Sequence, residues 1–355
     1  MTAGGSSMSL RIVSFILLAA SLAGCSSSGV APPATAAPAL LAAPESVDAV
    51  LPARKKRHYV YWTLFASCSY PQIQFARVPM KSASKAKSYD CSTQNGLGYS
   101  SGLGVDPKGR LWVISFNGKA GPKPSKVEVF KLPLRASSVQ EYAFVLSGSD
   151  GSDALTFDPS GNLWVSSPGN SSVLEYKGPF TKSGTLAPAL TIGVPSGYNM
   201  YSLAFDKSSK LYASNFDSTG TNSIGVLAPP YTGEPYFLDG LASPGGIVFD
   251  KHGNLYASTN GAAPAVVRYN SNHLKSGDKP SIVDPTGIPA SSYESALAFT
   301  STGDLYAANC GNNSSAGIDV WPLSRKTFSS KLAPSLLYTN ADIQQAGCAW
   351  GIAIK

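Results

Sequence analysis

One pattern of apolar and polar positions recurs along most of the chain. It reads Gly102-Leu-Gly-Val-Asp106-Pro-Lys-Gly109-Arg-Leu111-Trp112-Val, then Ala154-Leu-Thr-Phe-Asp158-Pro-Ser-Gly161-Asn-Leu163-Trp164-Val. It returns as Ser202-Leu-Ala-Phe-Asp206-Lys-Ser-Ser209-Lys-Leu211-Tyr212-Ala and Gly246-Ile-Val-Phe-Asp250-Lys-His-Gly253-Asn-Leu255-Tyr256-Ala. A fifth copy is Ala296-Leu-Ala-Phe-Thr300-Ser-Thr-Gly303-Asp-Leu305-Tyr306-Ala. Each copy predicts a hairpin. A short apolar strand runs into an Asp, whose side chain accepts backbone N–H bonds and opens a turn. Gly then supplies the positive φ of that turn, and Leu-Tyr/Trp starts the return strand. A third strand follows in most copies, at Val127–Phe130, Ser172–Tyr176, Val266–Tyr269 and Ile318–Trp321. The Asp-equivalent positions lie 52, 48, 44 and 50 residues apart. Four-stranded units at that period predict the blades of a β-propeller.

The two ends of the chain complete one another. The last residues, Gly351-Ile-Ala-Ile-Lys355, match the inner strand Gly246-Ile-Val-Phe-Asp250 and stop there. The rest of that unit lies at the other end, from Tyr59-Val-Tyr-Trp62 onward, with Ile73–Pro79 similar to Ile318–Pro322. The expectation is an all-β, six-bladed propeller over residues 58–355, five whole blades and one closed by pairing of the N- and C-terminal segments. Such closure removes the exposed sheet edges.

On these phrases the region after residue 57 resembles the NHL-repeat propellers, and more distantly the gluconolactonase-like propellers. The resemblance is specific for fold. It says little about activity, because propellers host unrelated functions.

Composition agrees with strands and adds an address. Charged residues are 14% of the chain, while Gly 34 and Pro 26 exceed the usual share, which argues against helical bundles and polar disorder. Arg11 precedes an apolar run over residues 12–20 that ends in Leu22-Ala23-Gly24-Cys25. A basic n-region, a short apolar core and small residues before a cleavage point form a secretory signal, too short to span a bilayer as a mature helix. Leu-Ala-Gly-Cys resembles the bacterial lipobox, which implies diacylation of Cys25. Residues 1–24 are therefore read as a lipoprotein signal peptide, with Met1 or Met8 as the start. Residues 25–57 are read as an Ala/Pro/Ser-rich tether ending in Arg54-Lys55-Lys56-Arg57. Those four charges belong to a net +7, so the remainder gives no broad electrostatic case for nucleic acid. The expected place is the bacterial cell envelope, with the membrane as partner through Cys25 and the propeller monomeric.

Four further cysteines, Cys68, Cys91, Cys310 and Cys348, follow the export signal, where disulfides are permitted. Their repeat positions favour Cys68–Cys91 and Cys310–Cys348, with Cys68–Cys348 the alternative that would staple the closing blade.

Aligning the copies predicts which side chains gather at one mouth of the central channel. The entry positions are Ser101, Asp153, Tyr201, Gly245, Ser295 and Trp350, with Met200 and Glu294 one residue earlier. After the second strand come Ser115, Ser167, Asn215, Thr259 and Asn309. Asp153, Tyr201, Asn215, Glu294, Asn309 and Trp350 are thus the candidate ligand-binding set, two carboxylates, two amides and two aromatics suited to a protein, a glycan or a small polar ligand. The gluconolactonase-like resemblance implies one divalent cation at the channel, such as calcium, for which Glu294, Asn215, Asn309 and Asp153 have oxygen donors. That family's Glu-Gly-Pro entry is absent, and none of His58, His252 and His273 aligns with the channel. The sequence therefore favours a non-enzymatic binding module without a cofactor over a metal-dependent lactone or ester hydrolase.

Overall fold

A computed structural model describes residues 58–66, 72–79, 87–90, 99–116, 124–135, 137–152, 154–194, 198–217, 223–260, 264–285, 292–311, 317–339 and 347–355. Residues 55–355 form one compact unit. The lipobox, the tether and Cys68 and Cys91 lie outside the described residues.

Six sheets, antiparallel but for one added strand, radiate around a channel. The first blade joins both ends of the chain, in the order Gly347–Ile354, Tyr59–Ala66, Gln72–Arg77, Lys87–Asp90. Val60 pairs with Ile354, Tyr61 with Ala353 and Trp62 with Ile352, so the expected closure is present. The inner strands of the second to sixth blades are Tyr99–Val105, Leu155–Phe157, Tyr198–Phe205, Pro244–Phe249 and Ser292–Phe299. The second blade gains a fifth strand that the sequence did not announce, Gly184–Leu186, running parallel to Gln140–Leu146. The only departure from strand and turn among the described residues is a 3-10 turn at Pro168–Asn170.

The recurring phrase folds as its chemistry requires. Asp106 Oδ1 accepts the N–H of Arg110, and Asp158, Asp206 and Asp250 accept the N–H of Asn162, Lys210 and Asn254, all at 2.8 to 2.9 Å. Thr300 does the same with its hydroxyl, accepting from Gly303 and Asp304. The turn glycine takes positive φ, +83° at Gly161 for instance, and Ser209 adopts +60° in its place.

The same Asp also holds the aromatic residue six positions on. The indole Nε1 of Trp112 donates to Asp106 and that of Trp164 to Asp158, both at 3.1 Å. Each of these rings crosses to the next blade. Trp112 meets Phe157, Trp164 meets Phe205, Tyr212 meets Phe249 and Tyr256 meets Phe299, edge to face with centroids 4.9 to 5.4 Å apart. Tyr61 with Val105, and Tyr306 with Ile354, complete the series in aliphatic form. Such aromatic pairs contribute about 0.5–1.5 kcal/mol each beyond their buried area.

Close blade packing leaves some positions no room. A Cβ on Gly246 would stand 2.7 Å from Ala296 Cα, backbone that cannot turn aside. Gly246→Ala should therefore lower the melting temperature by about 3 °C or more, whereas Ser209→Gly relieves a left-handed Ser and should raise it by about 1 °C. Thermal melts followed by circular dichroism check both directions.

One buried acid makes stability depend on pH. Glu128, in the third strand of the second blade, is 4% exposed. Burial pushes its carboxyl up to about 7, with Lys126 pulling the other way. With its amide turned to donate, Gln140 Nε2 lies 3.1 and 3.2 Å from the two carboxylate oxygens. A carboxyl raised in the folded state contributes stability in full below its unfolded pKa of about 4.5 and loses it as pH rises through about 7. Glu128→Gln should match the wild type at pH 4.5 and melt about 2 °C or more above it at pH 8. Equal melting of the two proteins at pH 8 would contradict this.

Candidate functional site

The mouth of the channel is shaped by a defect repeated in the inner strands. In the fourth blade the register shifts between Met200 and Ser202, so Tyr201 is one residue too many for its partner strand. The same bulge falls at Ser101–Gly102, Gly245–Gly246, Ser295 and Trp350–Gly351. A bulge breaks the alternation of a strand and re-aims the extra side chain. The positions aligned from sequence as channel entries are, in these five blades, the bulged residues.

Two of them carry rings. The fourth and first blades stand opposite each other in a ring of six, and Tyr201 and Trp350 meet between them, with ring centroids 6.4 Å apart and planes at 74°. Both are half-buried. They belong to the lining of a 410 Å³ channel built from the inner strands of all six blades. Deeper in the channel come Leu103, Leu155, Leu203, Ile247, Leu297 and Ile352. At its far end stand Val105, Phe157, Phe205, Phe249, Phe299 and Ile354. No Asp, Glu, His, Lys or Arg is part of this lining among the described residues. Such a lining offers ring faces, backbone polar groups and a few hydroxyls.

Of the other members of the expected set, Asn309 alone has a described side chain, and it falls elsewhere. Asn309 is 1% exposed, and its amide nitrogen donates to Asp319 Oδ2 at 2.7 Å inside the sixth blade. It does not line the channel. Ser115, Ser167 and Thr259, its counterparts, are buried as well. Ser167 exchanges hydrogen bonds with the backbone of Asp150. Ser101 is spent on a link between blades, its hydroxyl donating to Ser152 O at 2.7 Å while its carbonyl accepts from Thr63. Asp153 lies outside the described residues, as do the side chains of Asn215 and Glu294. Glu294 does stand opposite Asn309 in the backbone register, and Met200 opposite Asn215. No group of three His, Cys, Asp or Glu gathers among the described residues. The three histidines stay away from the channel lining, and His252 and His273 are exposed. The bulge, which decides which residue faces the channel, was the feature that spacing alone did not reveal.

Fold and channel together define a six-bladed β-propeller. Beyond that class, no family model matches the chain, and no curated protein matches it in sequence. Solved structures do share the fold. A candidate 6-phosphogluconolactonase from Bacteroides fragilis aligns with a TM-score of 0.54 at 11% identity, covering 86% of this chain and 99% of that one. A protein from Lactobacillus plantarum aligns at 0.52 and 11% identity, covering 80% and 82%. The PQQ-bound aldose sugar dehydrogenase from Streptomyces coelicolor aligns at 0.51 and 16% identity, covering 68% and 81%. At these identities the likeness is one of fold.

Proposed function

We propose that the chain is an exported, lipid-anchored protein of the bacterial envelope whose propeller is a non-enzymatic binding module for a neutral polar ligand with an apolar face, such as a saccharide, at the Tyr201–Trp350 end of the channel. The observation that carries this reading is the pair of half-buried rings from opposite blades, set over a channel lined, among the described residues, without Asp, Glu, His, Lys or Arg. Stacking on two rings and hydrogen bonding to uncharged groups suit a sugar face, and the described lining holds hydroxyls but no carboxylate or imidazole to act on them as a base. The lipid anchor rests on Leu22-Ala23-Gly24-Cys25 behind its apolar run. Membrane association that survives Cys25→Ala unchanged would refute it. The disulfide Cys310–Cys348 is supported by the bonded state of Cys310. It is supported too by the shared cluster of Ala308 and Ala349, which brings the strands carrying Cys310 and Cys348 together.

Four of the five tryptophans are fully buried, so Trp350 is the fluorophore that a ligand at this mouth would touch. Titrating the full chain with neutral oligosaccharides should change its tryptophan emission, and both Trp350→Phe and Tyr201→Ala should weaken binding about tenfold, near 1.4 kcal/mol. Unchanged affinity in both variants would refute the site.

A second reading, a divalent-metal-dependent hydrolase of lactone or ester type, is favoured by one atom. Asn309 Oδ1 is buried without a hydrogen-bond partner, opposite Glu294 in register, and an amide oxygen is a competent ligand for a hard cation. The candidate lactonase from Bacteroides fragilis has a related fold only. A thermal shift of the full chain by millimolar Ca²⁺, Mn²⁺ or Zn²⁺ that Glu294→Gln abolishes would support this reading. The absence of any shift would remove it.

A further inference from the structure

At the end of the ring away from Tyr201 and Trp350, the Asp turns of adjacent blades stand beside junctions between the blades. In three of them the fold itself answers the groups it contains. Between the second and third blades, Arg110 Nε binds Asp106 Oδ2 at 2.6 Å, one of its terminal nitrogens donates to Phe180 O, and the guanidinium lies over the rings of Trp112 and Tyr142. Between the third and fourth, Tyr231 packs on Trp164 and its hydroxyl donates to Ser209 O. Between the fourth and fifth, Lys210 sits over the ring of Tyr236.

The cleft between the fifth and sixth blades is different. It holds a 390 Å³ cavity lined by Lys251, His252, Arg268 and Lys326 together with hydroxyls that include Thr302 and Thr327. The sixth blade has Thr300 where the earlier turns have Asp, so the acid that would have stood here is missing. Arg268 pairs across the strands with Tyr256, whose hydroxyl burial pushes up while a hydrogen bond with the guanidinium, and then its charge, partly offset the rise. Its Nε is buried and has no hydrogen-bond partner. One carboxylate, Asp250, does line the cavity. Its Oδ1 accepts the N–H groups of His252 and Asn254, and its Oδ2 accepts the Asn254 amide, so it is engaged by the turn. The ion pairs among the described residues are Arg110–Asp106 and Lys177–Glu175, and neither involves these cations.

We propose that this cleft binds a tetrahedral oxyanion, phosphate or sulfate, free or carried on a small molecule. Arg268, Lys251 and Lys326 line a space larger than the ion, with hydroxyl-bearing residues on the sixth-blade wall. Charge-assisted hydrogen bonds of this kind are about twice as strong as neutral ones, and the guanidinium fork matches phosphate geometry. The buried Nε of Arg268 would otherwise remain without a partner, which costs free energy. This site does not depend on what occupies the other end of the channel.

Calorimetric titration of the full chain with inorganic phosphate, with glycerol phosphate and with chloride at matched ionic strength tests the proposal. Phosphate should bind with a millimolar or tighter constant and chloride should not. Tighter binding of the ester would identify a carried phosphate, and equal binding the free ion. Arg268→Gln should weaken phosphate about tenfold or more, and the exposed Lys326→Ala about threefold, with Arg268→Lys recovering part of the loss. If Arg268→Gln does not fold, the double variant Lys326→Ala with Lys251→Ala replaces it and should also lose about tenfold. No phosphate binding above the chloride control, or unchanged binding in these variants, would overturn the assignment.

Discussion

The contact on which the rest of this molecule leans is an aromatic ring carried from one blade into the next, repeated around the circle. In the second and third blades a single aspartate does two things at once. It caps the turn with its carboxylate and holds the indole that reaches across to the neighbouring phenylalanine. Turn chemistry, which is local, thereby fixes the distance between blades, which is not. Where Tyr replaces Trp the geometry persists. Tyr212 lies 3.4 Å from Asp206, and Tyr256 and Tyr212 keep the edge-on approach to Phe299 and Phe249.

A row of such contacts makes an arc, and pairing of the two chain ends makes the arc a ring. Residues 347–354 complete the blade begun by residues 59–66, with Thr63 binding both the Gly351 N–H and the Ser101 carbonyl at the junction. Opposed residues can meet only across a closed ring. The approach of Tyr201 to Trp350 is therefore a consequence of closure, and the lining beneath them, without Asp, Glu, His, Lys or Arg among the described residues, follows from inner-strand segments rich in Gly, Ala, Leu, Ile and Phe.

The two ends of the ring were legible to different degrees. The turns could be read because Asp-x-x-Gly acts through its own backbone, and the split blade because the last phrase stops after one strand. In five blades the entry positions are the bulged residues, yet that surplus residue in each of those inner strands leaves no mark in spacing. Asn309 shows the cost of that. It was placed at the mouth by alignment, while strand parity turns its side chain inward to Asp319, two residues into the next strand from its own partner Gly317. The strand Gly184–Leu186 was too short to register as a pattern. The substitution of Thr300 for Asp was visible as a departure from the phrase. Its meaning was not, because Arg268 and Lys326 come from different blades and meet only after folding.

Closure of the ring through its first blade is the claim on which channel, mouth and cleft all depend. Amide hydrogen exchange on the full chain measures it directly. The account predicts that Val60 to Trp62 and Ile352 to Ala353 belong to the slowest-exchanging class, protected as strongly as Leu203 and Ala213 in the opposite blade. Rapid exchange confined to those two strands, with the other five blades protected, would describe an open arc and contradict the closed ring.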